Sequence, residues 1–577
     1  MATSVGSVWR LPILICILLA YLYQVERVHP VFFFGQFQDD AIYFSTAKAL
    51  AEGKGYTLIS FPGSTPETKY PIVYPWLLSF VWKANPSFPD NLIPAIRLTE
   101  FFGCWSLLAG FFLLRRLPGV GEPAALWLTG ACAMQPVFVR ASGLVMSDIS
   151  FMAFMLTVLA LCVYASETQR SACVYALIGL LAGVTVGIRT VGIALVLGVC
   201  CAFLLKKSFG PAIIIAAAAA FAILLVTIPA HSREAGLSFG NPNEPGWNQV
   251  AAYYTSYTRF QWGMGVPSLG AMERMVLLNL FIFAASPGPI LIGTFAGTFG
   301  KVVFVSAMLL SLPLWIGLAR QSRIAEWKAV IFTMLFYGVV ILFWPYPQPE
   351  RFLLPFLPIL LAGLWCELRR IAIATVTRLR ETSAISQRMS ALRVQAIVAS
   401  VFFFSLLALG MWNCLLRDPR ARQQGAAFLA ATLEQRKEAY RWIREHTAPD
   451  DRVAAWQDAV LYLYTGRQSL RPVAVLPQVI YSDDEASLQR DLAHICDAPR
   501  HVAVKYWMTA PDDFRLESHP EDLTARMTQV AGVLPVVYHS QDGSVQILDT
   551  VCLNRLFTPE CREALPVLFP RLGTLPK

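Results

Sequence analysis

Long apolar stretches recur along this 577-residue sequence, and they constrain the fold more than any other feature. A membrane-spanning helix needs about 20 mostly apolar residues, and many windows approach that length. Only 15% of the residues are charged, whereas soluble proteins carry roughly 25%. The sequence therefore predicts a polytopic α-helical membrane protein. The apolar windows lie near residues 11–29, 97–114, 123–139, 148–165, 171–188, 190–205, 211–230, 301–318, 327–344, 352–367 and 395–412.

The basic residues predict which side of the membrane each loop faces. Lys and Arg mark the cytoplasmic side, and here they separate alternate pairs of windows, with the largest cluster at 369–393. About eleven spans, with the N-terminus inside as an uncleaved first span and the C-terminus outside, place all these clusters in the cytoplasm. The apolar stretch 275–300 is broken by Ser-Pro-Gly-Pro, and we expect an interfacial or half-inserted segment there.

The composition changes near residue 417, which predicts two domains. Residues 1–416 form a transmembrane domain whose first outer loop, 31–96, carries surface helices. Residues 417–577 have mixed charge and short apolar runs such as "RVAAW" and "LPVVYH", which are typical of strands in a small α/β domain. This second domain faces the outside. An oxidising compartment would allow its Cys552 and Cys561 to pair, and the sequence leaves that pairing open.

Four cations map to the outer side, against the positive-inside bias: Lys69, Arg140, Arg189 and Arg351. Arg189 has apolar residues on both sides, and an ionisable group in such a setting is a candidate functional residue. Each cation also has a simpler explanation. Lys69 could snorkel beside Tyr70, Arg351 could pair with Glu350, and Arg189 and Arg140 could face water. Together they indicate an anionic ligand at the outer leaflet, such as a lipid phosphate.

Three acids share that outer face. Asp39 and Asp40 open a predicted helix, "DAIYFSTAKALAEG", and Asp148 stands where a short outer loop meets the next span. Asp is a good helix N-cap, so capping is the alternative for Asp39 and for Asp148. Capping leaves Asp40 unexplained.

The order and sidedness of these residues resemble those of GT-C glycosyltransferases, in the branch that includes protein O-mannosyltransferases and the aminoarabinose transferase acting on lipid A. The family has an acidic pair in its first outer loop, a Lys-Pro-rich element that "TKYPIVYPW" resembles, and a late element that "ERFLLPFLPILLAG" resembles. Tyr70 departs from the family's usual Lys-Pro pair. The residues that match the family's motifs are Asp39, Asp40, Lys69, Asp148, Arg189 and Arg351.

The resemblance implies a sugar donor on a polyprenyl phosphate and transfer to an acceptor hydroxyl of a glycan, lipid or protein, with inversion. Asp39 would be the base, while Asp40 and Asp148 would orient the acceptor or the base. Lys69, Arg189 and Arg351 would bind the donor phosphate. No cofactor is certain, and a divalent metal ion at Asp39 or Asp148 stays open. The expected location is the bacterial inner membrane, with the active site on the periplasmic face.

Two other functions compete with sugar transfer. A transporter or flippase for a lipid-linked or anionic solute would place polar groups near mid-membrane, whereas these acids lie at one face. A membrane scaffold with a partner-binding outer domain leaves the outer cations unexplained. Nucleic acid is not an expected partner, because the net charge of +9 is explained by basic cytoplasmic loops.

Overall fold

The computed structural model describes residues 9–27, 33–168, 170–231, 244–255, 269–292, 305, 307–346, 348–382, 405, 418–475, 485–510, 513, 520–556 and 558–570. Six helical stretches among them are long and apolar enough to cross a membrane. The chain is therefore an integral membrane protein. The six stretches are Leu92–Leu114, Ser147–Glu167, Phe209–Thr227, Leu269–Leu291, Ala325–Leu342 and Pro349–Ala374.

The helices before residue 383 include both long spans and short segments. In chain order they are α1 (Arg10–Glu26), α2 (Asp39–Ala51), α3 (Val73–Ala84), α4 (Leu92–Leu114), α5 (Glu122–Ala133), α6 (Pro136–Ser142), α7 (Ser147–Glu167), α8 (Ala172–Ile188), α9 (Ile193–Leu205), α10 (Phe209–His231), α11 (Pro245–Thr255), α12 (Leu269–Ala285), α13 (Pro287–Ile292), α14 (Ser311–Gln321), α15 (Lys328–Leu342), α16 (Pro349–Leu353) and α17 (Leu357–Thr382).

The predicted count of about eleven spans stays a prediction. Apart from residue 405, the predicted span 395–412 lies outside the described residues. Residues 301–304 and 306 of the predicted span 301–318 lie outside them too. The window 123–139 is divided between α5 and α6. The division falls before Pro136, whose ring lacks the N–H that would continue the first helix.

The structure describes residues 275–292 of the stretch 275–300. The predicted break at Ser-Pro-Gly-Pro is confirmed, because α12 ends at Ala285 and α13 begins at Pro287. The stretch Leu269–Leu291 has the length and composition of a full span, and the interfacial or half-inserted placement stays a prediction. Proline is well tolerated in the first turn of a helix, where its missing N–H has no partner to lose.

Small residues let neighbouring helices approach closely. A side chain at Gly198 of α9 would collide with Thr333 of α15, and one at Gly317 of α14 would collide with the backbone of Gly363 in α17. Packing through small residues is typical of membrane helices, where close backbone contact replaces the hydrophobic effect.

The C-terminal region contains a five-stranded mixed sheet, as the α/β prediction requires. Its elements are α18 (Asp418–His446), β1 (Val453–Ala455), α19 (Asp458–Thr465), β2 (Ser469–Leu470), α20 (Glu485–Ala493), α21 (Asp497–His501), β3 (Tyr506–Thr509), α22 (Pro520–Val533), β4 (Val536–His539), β5 (Gln546–Asp549), α23 (Val551–Asn554) and α24 (Leu565–Leu568).

The strand order is β2-β1-β3-β5-β4. Strand β1 runs parallel to β2 and β3, with Val453 opposite Ser469 and Tyr506, whereas β5 runs antiparallel to β3 and β4. The predicted strand "PVAVL" is wrong over 472–475, since β2 ends at Leu470 before Pro472. Cys552 and Cys561 form a disulfide.

The chain divides into two compact units. The first unit comprises Met1–Pro30, Pro94–Thr227 and Val276–Gln423, and the second comprises Val31–Ile93, Ile228–Met275 and Gln424–Lys577. The first outer loop thus groups with the C-terminal region, whereas the sequence analysis places it in the transmembrane domain. The predicted domain boundary after residue 416 stays a prediction. In helix α2, 9 of the 13 residues are buried inside the protein, and its expected place along the membrane surface stays a prediction.

Candidate functional site

The six predicted site residues form two clusters, one in each unit. Asp148, Arg189 and Arg351 meet in the first unit. Asp39, Asp40 and Lys69 lie in the second unit. Each cluster is described by itself.

In the first unit, Asp148 joins two arginines from distant parts of the sequence. Its Oδ1 accepts a hydrogen bond from Arg189 Nη1, and its Oδ2 accepts one from Arg351 Nη2 at 3.2 Å. Asp148 is only 2% exposed. A single carboxylate balances only one of the two guanidinium charges, so these three side chains carry an excess of positive charge.

Local structure explains how these three side chains converge. Asp148 lies in the first turn of α7, and Arg351 lies in the short helix α16. Arg189 follows the last residue of α8 and has an extended backbone, with φ −145° and ψ 131°. It therefore occupies the turn between two apolar helices, where its side chain leaves the α8 helix.

Arg140 makes different contacts from the other outer cations. Its Nε donates to the carbonyl oxygen of Pro136, one turn earlier in α6, at 3.3 Å. It is also attracted by the carboxylate of Glu350. The sequence leaves exposure to water as the alternative for Arg140, and it offers Glu350 as a partner for Arg351 rather than for Arg140.

In the second unit, the two adjacent aspartates have different environments. Asp40 is buried and accepts backbone hydrogen bonds from Gly35 at 2.8 Å and from Ala41 at 2.9 Å. These bonds fix the loop that enters α2. The sequence indicates capping for Asp39 and gives no role to Asp40, whereas in the structure Asp40 makes the contacts to the loop backbone.

Asp39 is partly exposed and contacts a tyrosine side chain. Its Oδ1 accepts a hydrogen bond of 2.6 Å from the Tyr70 hydroxyl. The preceding residue, Gln38, has φ 59°, which L-residues rarely adopt. The side-chain oxygen of Gln38 accepts a hydrogen bond of 2.8 Å from the Tyr253 hydroxyl, and its side-chain nitrogen donates one of 3.3 Å to the Trp456 carbonyl. These bonds hold the backbone that presents Asp39.

Lys69 is a buried cation beside this carboxylate. It is 7% exposed, and its Nζ lies 3.9 Å from the ring centroid of Tyr253. Burial lowers the pKa of Lys69, and attraction to Asp39 is the largest opposing influence. A lysine withdrawn from water but next to acids and aromatic faces is a strong local source of positive potential.

Glu67 fixes the backbone around Lys69. Its Oε1 accepts from the backbone N–H groups of Lys69 at 2.6 Å and Tyr70 at 3.0 Å. Burial raises the pKa of Glu67, and these backbone hydrogen bonds oppose the shift. Glu67 thus orients two residues of the cluster at once.

Several residues of this second-unit cluster are not predicted from the sequence. Glu67 stands two positions before Lys69 in "ETKYP", and that proximity is the only signal in the sequence. Tyr253 comes from the aromatic segment of the 231–274 loop, while 232–243 and 256–268 of that loop lie outside the described residues. Asp458 and Arg471, whose charges act on Lys69, come from the C-terminal region, which carries no recognisable motif.

The described residues do not fit a metal site at either predicted position. Both oxygens of Asp148 accept hydrogen bonds from guanidinium groups. Asp39 accepts from a tyrosine and lies beside a lysine. Within the described ranges, no group of three His, Cys, Asp or Glu side chains is placed to hold an ion. We derive no chemical step through a metal.

No protein family matches the sequence, and no curated protein is similar to it in sequence. Solved structures do match. One is the archaeal oligosaccharyltransferase AglB from Archaeoglobus fulgidus in complex with an inhibitory peptide and a dolichol-phosphate. It has a TM-score of 0.52 and 13% identity, covering 96% of this chain and 75% of that chain.

Two further solved structures are similar. The Archaeoglobus fulgidus oligosaccharyltransferase complex with Zn and sulfate has a TM-score of 0.51 and 13% identity, covering 93% of this chain and 73% of that chain. ArnT from Cupriavidus metallidurans bound to undecaprenyl phosphate has a TM-score of 0.49 and 12% identity, and the match covers 95% of this chain and 99% of that chain.

The fold resembles that of the oligosaccharyltransferase AglB. The fold expected from the sequence, a helical membrane region with a C-terminal sheet, is confirmed. The roles of individual residues are a separate matter, since identity this low establishes the fold alone.

Proposed function

We propose that the protein transfers a sugar from a polyprenyl-phosphate donor to the hydroxyl group of an acceptor. The observation that carries this proposal is the second-unit cluster, where the partly exposed Asp39 accepts from Tyr70 beside the buried Lys69. The likeness in fold to AglB, which was solved with a dolichol-phosphate, supports a lipid-phosphate donor.

The proposed reaction is a single displacement at the anomeric carbon. The acceptor oxygen forms a bond to that carbon while the bond from the carbon to the phosphate oxygen breaks. The acceptor proton moves to the Asp39 carboxylate, and the polyprenyl phosphate leaves with the bonding electrons. A positioned carboxylate is suited to take this proton, and one displacement inverts the anomeric centre.

Cations stabilise the charge that develops on the leaving phosphate. In the second unit this role falls to Lys69, whose burial strengthens its interaction with an anion. In the first unit it falls to Arg189 and Arg351, and we propose that Asp148 positions these two arginines. The family resemblance assigns Asp148 to the acceptor or the base, but its two hydrogen bonds to guanidinium groups favour the positioning role.

The acceptor is proposed to be a glycan, a lipid or a protein that carries a free hydroxyl. Helix α11 contributes the ring of Tyr253, which receives Lys69 and whose hydroxyl donates to Gln38, the residue before Asp39. Aromatic rings beside a carboxylate suit a sugar-like acceptor, because rings pack against C–H groups while the carboxylate accepts from hydroxyls.

The proposed location is the bacterial inner membrane, with the site on the periplasmic face. The disulfide between Cys552 and Cys561 supports an oxidising compartment for the C-terminal region. The outer cations of the sequence analysis support the same side.

An Asp39→Asn variant in membranes, supplied with radiolabelled polyprenyl-phosphate sugar, tests the role of the base. Transfer should fall by about 10²-fold or more, because the amide cannot accept the proton. Glu52→Gln is the matched control, since Glu52 follows the last residue of the same helix and pairs with Lys54 at 2.6 Å. Full transfer by the Asp39→Asn variant would remove Asp39 as the base.

Tyr70→Phe tests whether Asp39 must be oriented. The variant removes one hydrogen bond to a charged group, which is worth about 1.5–3 kcal/mol, and transfer should fall about tenfold or more. Donor binding should change little. Unchanged transfer would show that the bond between Tyr70 and Asp39 has no part in the reaction.

A further inference from the structure

The C-terminal region contributes a second buried cation to the Asp39 cluster. Arg471 follows strand β2 directly and is 5% exposed. Its Cζ lies 4.0 Å from the ring centroid of Trp456 and 5.0 Å from that of Tyr253. The Tyr253 ring is the same one that receives Lys69, so one aromatic side chain brings both cations together.

The backbone and the charge of Arg471 have partners in the same unit. The backbone N–H of Arg471 donates to the Tyr254 hydroxyl at 3.1 Å. The buried carboxylate of Asp458 attracts both Arg471 and Lys69. Burial raises the pKa of Asp458 to about 6, and a hydrogen bond from Tyr254 opposes that shift. Near neutral pH this acid therefore balances part of the positive charge of the two cations.

Burying two cations beside one another is costly unless something anionic compensates for them. The acids of the cluster provide part of this compensation. An arginine stacked on aromatic rings also presents a planar fork of N–H donors that matches a phosphate. Lys69, by contrast, offers a compact point charge. Arg471 and Lys69 together could bind one phosphate group through both a planar set of N–H donors and a compact charge.

We propose that Arg471 binds the phosphate of the polyprenyl donor together with Lys69. The C-terminal region is then part of the donor site rather than only a support for acceptor recognition. This inference rests on the proposed function, because it takes the polyprenyl phosphate as the ligand.

The test measures binding of two lipids to the full-length protein in nanodiscs, undecaprenyl phosphate and undecaprenol. The ratio of their dissociation constants isolates the contribution of the phosphate from that of the lipid chain. Arg471→Gln should lower the preference for the phosphate at least tenfold, comparable to Lys69→Gln. Arg471→Lys, which keeps the charge but loses the fork, should give an intermediate preference.

Arg500→Gln is the control, because Arg500 belongs to the same unit and lies over Phe569, with its guanidinium carbon 5.4 Å from the ring centroid. This variant should keep the wild-type preference.

The outcomes separate this inference from the proposed function. If wild type prefers undecaprenyl phosphate and Arg471→Gln weakens both lipids equally, Arg471 is a structural residue and the inference is overturned while the donor class stands. If wild type shows no preference for the phosphate, the proposed donor class is itself wrong. If Arg471→Gln does not fold, the Arg471→Lys variant provides the test. A wild-type preference for undecaprenyl phosphate over undecaprenol in that variant would overturn the contact between the Arg471 guanidinium and the phosphate.

Discussion

Replacing Asp148 with asparagine would leave the guanidinium groups of Arg189 and Arg351 side by side without their shared carboxylate. Both arginines hydrogen-bond to Asp148, which is 2% exposed. Two guanidinium groups on one carboxylate lie about 5–6 Å apart, and at an effective dielectric constant of about 20 they repel each other by about 3 kcal/mol, which the variant no longer offsets with a carboxylate charge. The loss of charge-assisted hydrogen bonds adds to this, so the variant should lose about 3–5 kcal/mol of stability.

Thermal unfolding of the detergent-solubilised protein measures this loss, and the midpoint for Asp148→Asn should fall by several degrees. Adding Arg189→Gln removes one of the two repelling charges and should recover part of the loss. Adding Arg320→Gln instead should recover nothing, because Arg320 pairs with Glu367, with their charged atoms 3.1 Å apart. An unchanged midpoint for Asp148→Asn, or equal recovery by both second substitutions, would refute the electrostatic reasoning.

Three further predictions concern the second unit. Gly35→Ala should destabilise it by about 2–4 kcal/mol, measured by chemical unfolding, because Gly35 has φ 91° and an added Cβ would collide with Val460; wild-type stability would contradict this. Replacing Cys552 and Cys561 by serine should cost about 2.5 kcal/mol through the closed loop between them, and no change under reducing conditions would contradict it. Folding raises the pKa of Asp458 from 3.8 to about 6. Protonated Asp458 therefore stabilises the folded protein at low pH, and about 3 kcal/mol of this stability is lost as the pH rises from about 4 to above 6. Asp458→Asn should abolish that part of the pH dependence, and an unaltered stability curve would contradict the assignment.

Residues whose charge is unusual for their position could be predicted from the sequence. Asp148, Arg189 and Arg351 are far apart in the chain, yet the bias of basic residues toward one side is enough to place them on one face, and the structure joins them. The hydrogen-bond partners of Asp148 could not be predicted in this way, because hydrogen bonds between helices depend on how the helices pack rather than on the order of the spans.

The second-unit cluster is harder to predict. Charge and helix signals identify Asp39 and Lys69, but Arg471 and Asp458 come from a region with no motif, and only tertiary packing brings them to Tyr253 and Lys69. Strand β2 shows a similar limit. The apolar run after Arg471 predicts a strand, but Pro472 lacks the N–H needed for a ladder, and the pairing occurs two residues earlier.

Sugar transfer from a lipid donor is tested most directly by mass spectrometry of envelope glycans and lipid-linked sugars in cells that lack the protein. This measurement works whichever sugar is transferred and whichever molecule accepts it. Without the protein, one envelope glycan should lose a sugar unit while a polyprenyl-phosphate sugar accumulates. Wild type should restore both, and the Asp39→Asn variant should restore neither. Unchanged glycans and lipid-linked sugars in those cells, or full restoration by Asp39→Asn, would contradict the account.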